Sequence, residues 1–224
     1  DKAAEVFGVP AEAVLLGSTG VIGKQLPIDR IRAGVEKLAA AKSDTLEAGN
    51  SAAKAIMTTD TCEKEIAVEI EIDGKAVTIG GMAKGSGMIH PNMCTMLSFI
   101  TTDAAISKEA LQKALSDDVN DTYNMISVDG DTSTNDTVLV LANGMAGNDI
   151  ITEGTPELEI FKEALLEVTK YLSRMIAKDG EGATKLLECK VSGADSLEVA
   201  KTVAKSVICS SLTKAAMFGA DANW

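Results

Sequence analysis

The sequence predicts an α+β fold, and three observations predict it. Residues 66–79 alternate apolar and polar side chains with period two, as a half-buried hairpin does. Residues 156–177 place Leu158, Phe161, Leu165, Val168 and Leu172 at steps of three and four, the stripe of a long amphipathic helix. Around these, helices and strands follow one another without a repeating strand–helix–strand unit, an order that reads as α+β or a layered α/β arrangement. The 224 residues are 46% apolar and 24% charged, enough to bury a core; only 3% are aromatic, so core volume falls to aliphatic side chains and nine Met.

In chain order, Val14–Leu16 reads as a short strand running into the turn Gly17-Ser18-Thr19-Gly20. Ile28, Ile31, Val35 and Leu38 step by 3, 4 and 3 and predict a helix over 28–41, with Asp29 near its N-terminus where negative charge suits the dipole. A second, Ala-rich helix is expected from Thr45 to Ile56, packing through Ala48, Ala52 and Ala55, and the Thr-rich MTTDT follows at 57–61. Ile66, Val68, Ile70 and Ile72, then Asp73-Gly74, then Val77 and Ile79 predict a hairpin closed by a type I′ turn. A buried strand is expected through Met96, Leu97, Phe99 and Ile100, and a helix from Ser107 to about 121 with Leu111, Leu115 and Val119 on one stripe. Strands are expected at 125–128 and 137–141. The long helix begins at Pro156, a residue suited to the first helical turn, after Thr155 as N-cap, and stops at Asp179-Gly180. A strand through Leu187, Cys189 and Val191 and a last helix over 196–214, with Val199, Ala200, Val203, Ala204, Val207 and Ile208 inward, complete the reading.

Composition excludes several functions. A formal net charge of −12 would repel nucleic acid and anionic membrane surfaces. No run is long and apolar enough for a membrane span, and no signal peptide is legible, so a cytoplasmic location is expected. Cys62, Cys94, Cys189 and Cys209 form no CxxC and there is one His, so no zinc site is read and free thiols in a reducing compartment are expected. The acidic turn at 129–136 lacks the spacing and closing Glu of an EF-hand, so no metal site is assigned there either.

The most informative stretch is GGMAKGSGMIHPNMCTMLSFITTDA, residues 80–104. Glycines crowd its first half, where small residues allow close backbone approach. Lys84 is its one charge before Asp103, Pro91-Asn92 signals a turn, and Thr95 stands where the glycine-rich loop enters an apolar strand. A hydroxyl there reads either as an ordinary loop residue or as a nucleophile. The run KGSGMIHPNMCTML, with TTDA after it, resembles the self-cleavage motif of the ornithine acetyltransferases (glutamate N-acetyltransferases). His90 and Cys94 depart from the commoner alanine of that motif. The resemblance spans the whole chain, while the chain matches the middle portion of the family's length. FGVPAEAVLLGSTG is similar to a segment inside the family's first chain and FGADANW to one that continues, so the sequence reads as a piece of a longer protein.

The resemblance implies an α/β/β/α sandwich of the N-terminal-nucleophile type. It implies self-cleavage between Cys94 and Thr95, dividing this sequence into 1–94, from the first chain, and 95–224, from the second, within one structural unit. It implies Thr95 as nucleophile, Thr19 and Gly20 as the oxyanion hole, and Thr58, Lys84, Thr95 and Glu181 as substrate-binding residues. The activity implied is ping-pong transfer of acetyl from N2-acetylornithine to glutamate, in arginine biosynthesis. No cofactor is called for; whether acetyl-CoA is also a donor stays open. An α2β2 assembly is implied for the full-length protein. Alternatives are a self-cleaving aminopeptidase or amidase of related fold, an inactive fragment, and Cys94 as nucleophile with cleavage after Met93.

Overall fold

The computed structural model describes residues 1–90 and 96–222. Among the described residues, seven α-helices, α1 (Lys2–Phe7), α2 (Ile28–Ala41), α3 (Leu46–Ala55), α4 (Lys108–Asp118), α5 (Pro156–Lys178), α6 (Leu197–Ile208) and α7 (Ser211–Gly219), accompany four strands. The strands β1 (Lys64–Ile72), β2 (Lys75–Lys84), β3 (Leu97–Thr102) and β4 (Thr137–Ala142) form one sheet in the order β1-β2-β3-β4. β1, β2 and β3 are antiparallel neighbours; β4 returns parallel to β3 after α4. The α+β class stands. The expected division between residues 94 and 95 lies outside the described residues.

The hairpin forms as the alternation demands. Asp73 (φ 53°) and Gly74 (φ 69°) are both left-handed, as a type I′ turn requires, and Ile72 pairs with Lys75. Strand pleating then sorts the sheet. Ile66, Val68, Ile70, Val77, Ile79, Gly81 and Ile100 face α5. Leu158, Phe161, Leu165, Val168, Leu172 and Ile176 of α5 are all buried against them. Gly81 sets the approach, since a Cβ there would come within 3.0 Å of Leu172 and 3.1 Å of Val168. Each large side chain of that stripe contributes roughly 1.5–3 kcal/mol by leaving water.

On the other face, Met82, Leu97, Phe99, Leu139 and Leu141 form an apolar strip, and the segment around Gly17 lies on it, touching the Phe99 ring. Among the described residues the layers are therefore helices and one sheet; the second sheet of the implied sandwich is not among them.

Several expectations are corrected. Val14–Leu16 is not a strand: among the described residues no strand pairs with it, and Leu16 is 82% exposed. Residues 125–128 hold the end of a 3-10 turn, Tyr123–Met125, and one bond from the Val128 N–H to the Ile89 carbonyl. Residues 187–191 pair with no strand among the described residues. The last helix is two helices, broken at Cys209-Ser210, where the Ser210 hydroxyl caps α7 by accepting from the Thr213 N–H. Its apolar stripe is only half covered: Ala200, Ala204 and Ile208 are half-buried, while Val199, Val203 and Val207 are exposed. In α3 the buried alanine is Ala53, and α2 keeps its predicted span with none of its residues buried.

Candidate active site

Four separate segments converge at the end of the sheet where β2 stops. β2 ends on Lys84, which pairs with Leu97 and is nearly buried. The segment after α3 brings Thr58, and Lys84 Nζ donates to Thr58 Oγ1 at 2.7 Å. After α5 the Glu181 N–H donates to the Ser86 carbonyl at 2.7 Å, tying that turn to the glycine loop. The irregular 17–20 segment adds Thr19 and Gly20. Thr19, Gly20, Val21, Thr58, Thr59, Lys84, Gly87, Met88 and Glu181 together line a cleft of about 400 Å³. All five residues assigned from sequence and described in the structure thus border one space. Cys94 and Thr95 lie outside the described residues.

Gly87 is small for a reason: a Cβ there would sit 2.7 Å from Glu181 Oε2. Behind the cleft lies an ionic cluster that the sequence reading missed. Lys64 is fully buried and donates to Asp60 Oδ1 at 2.8 Å, Asp179 Oδ2 at 2.6 Å and the Cys62 carbonyl at 3.2 Å. Asp60 also accepts the Gly85 N–H at 2.7 Å and the Thr58 N–H at 3.1 Å. Asp179 accepts the N–H and hydroxyl of Thr61. Thr59 and Ser86 share a hydroxyl–hydroxyl bond of 2.6 Å. The cluster therefore fastens the 58–61, 84–87 and 179–181 segments to one another.

The electrostatics follow from burial and partners. Burial pushes the carboxyls of Asp60 and Asp179 up, but their hydrogen bonds outweigh it and hold both below the usual range. Burial likewise opposes the charge on Lys64, and its two carboxylate bonds outweigh it, leaving its pKa raised. Lys84 goes the other way: burial lowers its pKa, and the pull of Asp60 and Asp136 does not restore it. Asp136 Oδ1 accepts the Met96 N–H at 2.8 Å, while the buried Oδ2 has no hydrogen-bond partner among the described residues. Burial lifts that carboxyl to about 6. On the other flank of the undescribed 91–95, His90 Nδ1 lies 3.0 Å from Ser127 Oγ.

A larger cavity of about 570 Å³ opens between α5, the 181–189 segment and α6–α7, and shares Glu181 with the cleft. Three of its cations are already engaged: Arg174 with both Glu188 oxygens, Lys185 with the Met217 carbonyl, Lys214 with the Val128 carbonyl. The cleft, with convergent unlike groups, is the better candidate for chemistry. Among the described residues no three His, Cys, Asp or Glu side chains come together as metal ligands, and no helix is long and apolar enough to cross a membrane.

Comparison with known proteins fits this geometry. The sequence profile of the ArgJ family matches residues 1–224. The chain belongs to the ArgJ family. It is 59% identical over 218 residues to the arginine biosynthesis bifunctional protein ArgJ 1 of Clostridium acetobutylicum, covering 96% of this chain and 52% of that protein. It is 56% identical to the ArgJ protein of Symbiobacterium thermophilum, covering 99% of this chain and 55% of the other. The crystal structure of the arginine biosynthesis bifunctional protein ArgJ from Bacillus halodurans superposes with a TM-score of 0.56 at 52% identity, over 58% of this chain and 61% of that one. The chain therefore spans about half the length of the curated ArgJ relatives it matches.

One missed group had a visible signal. Lys64 shares the parity of Ile66, Val68, Ile70 and Ile72, so the hairpin alternation already placed a charge on the inward face of β1. Asp60, Asp179 and Asp136 offered no such signal: the partners of Asp179 and Asp136 lie far away in sequence, and Asp60 sits in an irregular segment with no periodicity to mark it as buried.

Proposed function

We propose that this ArgJ chain carries the catalytic centre of an acetyltransferase that moves acetyl from N2-acetylornithine to glutamate through an acetyl-Thr95 intermediate. The observation that supports it is the convergence of Thr19, Gly20, Thr58, Lys84 and Glu181 on one cleft from four segments of chain. A cleft offering one ammonium and one carboxylate matches an amino acid, whose α-carboxylate would meet Lys84 and whose amino group would meet Glu181.

The chemistry begins with self-cleavage. The Thr95 hydroxyl attacks the Cys94 carbonyl, the peptide nitrogen leaves as an amine, and water hydrolyses the resulting ester. Thr95 then has a free α-amine, whose pKa of about 8 suits it to take the hydroxyl proton. The oxygen attacks the acetyl carbonyl, and the negative charge on the carbonyl oxygen is met by the Thr19 hydroxyl and the Gly20 N–H, donors worth several kcal/mol in such a role. Collapse expels ornithine, which takes the proton from the α-amine. The glutamate amine then attacks the Thr95 ester and carries the acetyl away. These steps call for no cofactor. The relatives' names call them bifunctional, and acetyl-CoA as a second donor is the reading we attach to that word. In a chain of the relatives' full length, assembly as α2β2 is expected.

The test is Thr19→Ala in such a full-length chain. Acetyl transfer is expected to slow by roughly two orders of magnitude with the fold retained; an unchanged turnover number removes Thr19 from the mechanism. N-terminal sequencing of the second fragment distinguishes Thr95 from Cys94, because it begins Thr-Met-Leu in one case and Cys-Thr-Met in the other.

A further inference from the structure

Lys84 is the cation of the cleft, and among the described residues it forms no ion pair; its ammonium rests on the Thr58 hydroxyl at 2.7 Å. What keeps it there lies one layer back. Asp60 Oδ1 accepts the Gly85 N–H at 2.7 Å, the amide directly after Lys84. Asp60 Oδ2 accepts the Thr58 N–H at 3.1 Å, the amide of the residue that receives the Lys84 hydrogen bond. One carboxylate thus grips both ends of the Lys84–Thr58 contact. The side chains of Asp60 and Lys64 are fully buried and that of Asp179 is 5% exposed. Lys64 balances only one of the two carboxylates it touches, so the cluster leaves a residual negative charge behind Lys84, and the Asp60 carboxylate acts on the Lys84 ammonium through space.

We propose that Asp60 is a positioning residue of the cleft: it clamps the Thr58 and Gly85 amides on either side of Lys84 and supplies the negative charge that holds the Lys84 ammonium in place. The consequence for substrate binding rests on the acetyl-transfer reading; the clamp does not. The charged groups around Lys84 are Asp60 and Lys64 from the 58–64 segment, Asp136 from the loop before β4, and Glu181 across the cleft. Burial and Lys64 favour the neutral amine, while Asp60 and Asp136 favour the ammonium. The substrate carboxylate needs the ammonium, so Asp60 counteracts the cost of burying it.

Competitive acetylation of the Lys84 amine with trace acetic anhydride, followed by mass spectrometry across a pH series, reads its charge directly on this chain. Only the neutral amine reacts. In Asp60→Asn, Lys84 is expected to react several-fold faster at about pH 8 than in the parent, because an opposite charge at close range has gone. In Lys64→Met it is expected to react more slowly, because a like charge has gone. Opposite signs are the signature: an unchanged rate in Asp60→Asn, or both variants moving the same way as general loosening would make them, overturns the proposal. Circular dichroism reports folding, and where one variant fails to fold the sign of the other decides. In a full-length chain, Asp60→Asn is expected to raise KM for the acetylated amino acid more at about pH 8.5 than at about pH 6.5, with kcat changing less. An equal rise at both pH values overturns the charge role. Absence of acetyl transfer in the parent would sink the proposed function and leave the labelling result standing.

Discussion

Lys64→Met removes the central cation of the buried cluster while keeping a side chain of similar length, so little cavity cost arises. The loss is electrostatic: the ammonium's bonds to Asp60 (2.8 Å), Asp179 (2.6 Å) and the Cys62 carbonyl (3.2 Å) disappear. Removing one partner of a buried ion pair costs about 3–5 kcal/mol, because the abandoned charge stays buried. Here Asp60 keeps two backbone donors and Asp179 keeps the N–H and hydroxyl of Thr61, which places the expected loss near the low end, about 3 kcal/mol at pH 7. The pH dependence is the sharper test. In the parent, the depressed carboxyls of Asp60 and Asp179 contribute stability above their unfolded pKa of about 4 that is lost only as pH falls through their lower folded values. The raised Lys64 contributes stability that is fully present below its unfolded pKa and lost only as pH rises through its folded value, above the range considered. In the variant the two carboxyls face each other without a cation and shift upward, so acid relieves them by protonation. Urea denaturation of parent and variant at about pH 7, 5.5 and 4.5 should therefore show the deficit shrinking as pH falls. A loss under about 1 kcal/mol, or a deficit that ignores pH, would refute the reasoning.

Three further outcomes are expected. Asp118 is buried between α4 and α5, bonded to the hydroxyls of Thr169 and Thr122, and burial lifts its carboxyl to about 6. A raised folded pKa means the folded state holds the proton more tightly, so stability declines as pH rises from about 4 to 6. Asp118→Asn should flatten that decline, which thermal melts across this range will show. Gly87→Ala should leave stability nearly unchanged, because Gly87 does not need a left-handed backbone, but its methyl must displace the Glu181 carboxylate; KM of a full-length enzyme should rise several-fold with the fold intact. Glu181→Gln should weaken use of the ornithine-type substrate without stopping self-cleavage, and an uncleaved product on a gel would show that Glu181 is structural.

The sequence by itself determined the elements whose pattern is local. The period-two run in 66–79 with Asp73-Gly74, and the α5 stripe from Leu158 to Leu172, each specify a shape and an inward face from neighbours along the chain, and both formed as expected. The motif around Lys84 and Thr95 pointed to a family, and the residues carried over with it, Thr19, Gly20, Thr58 and Glu181, border one cleft with Lys84. Tertiary structure decided what depends on partners remote in sequence. Val14–Leu16 and residues 187–191 have strand-like composition but, among the described residues, no neighbouring strand to satisfy their backbone, and β structure needs that second strand. The stripes of α2 and α6 stand largely open to solvent, because an apolar face says only that something could cover it. In the Asp60–Lys64–Asp179 cluster, Lys64 bonds Asp179 across 115 residues of sequence. A charge at an inward strand position announces a need for partners, and only the packed fold chooses which carboxylates meet it.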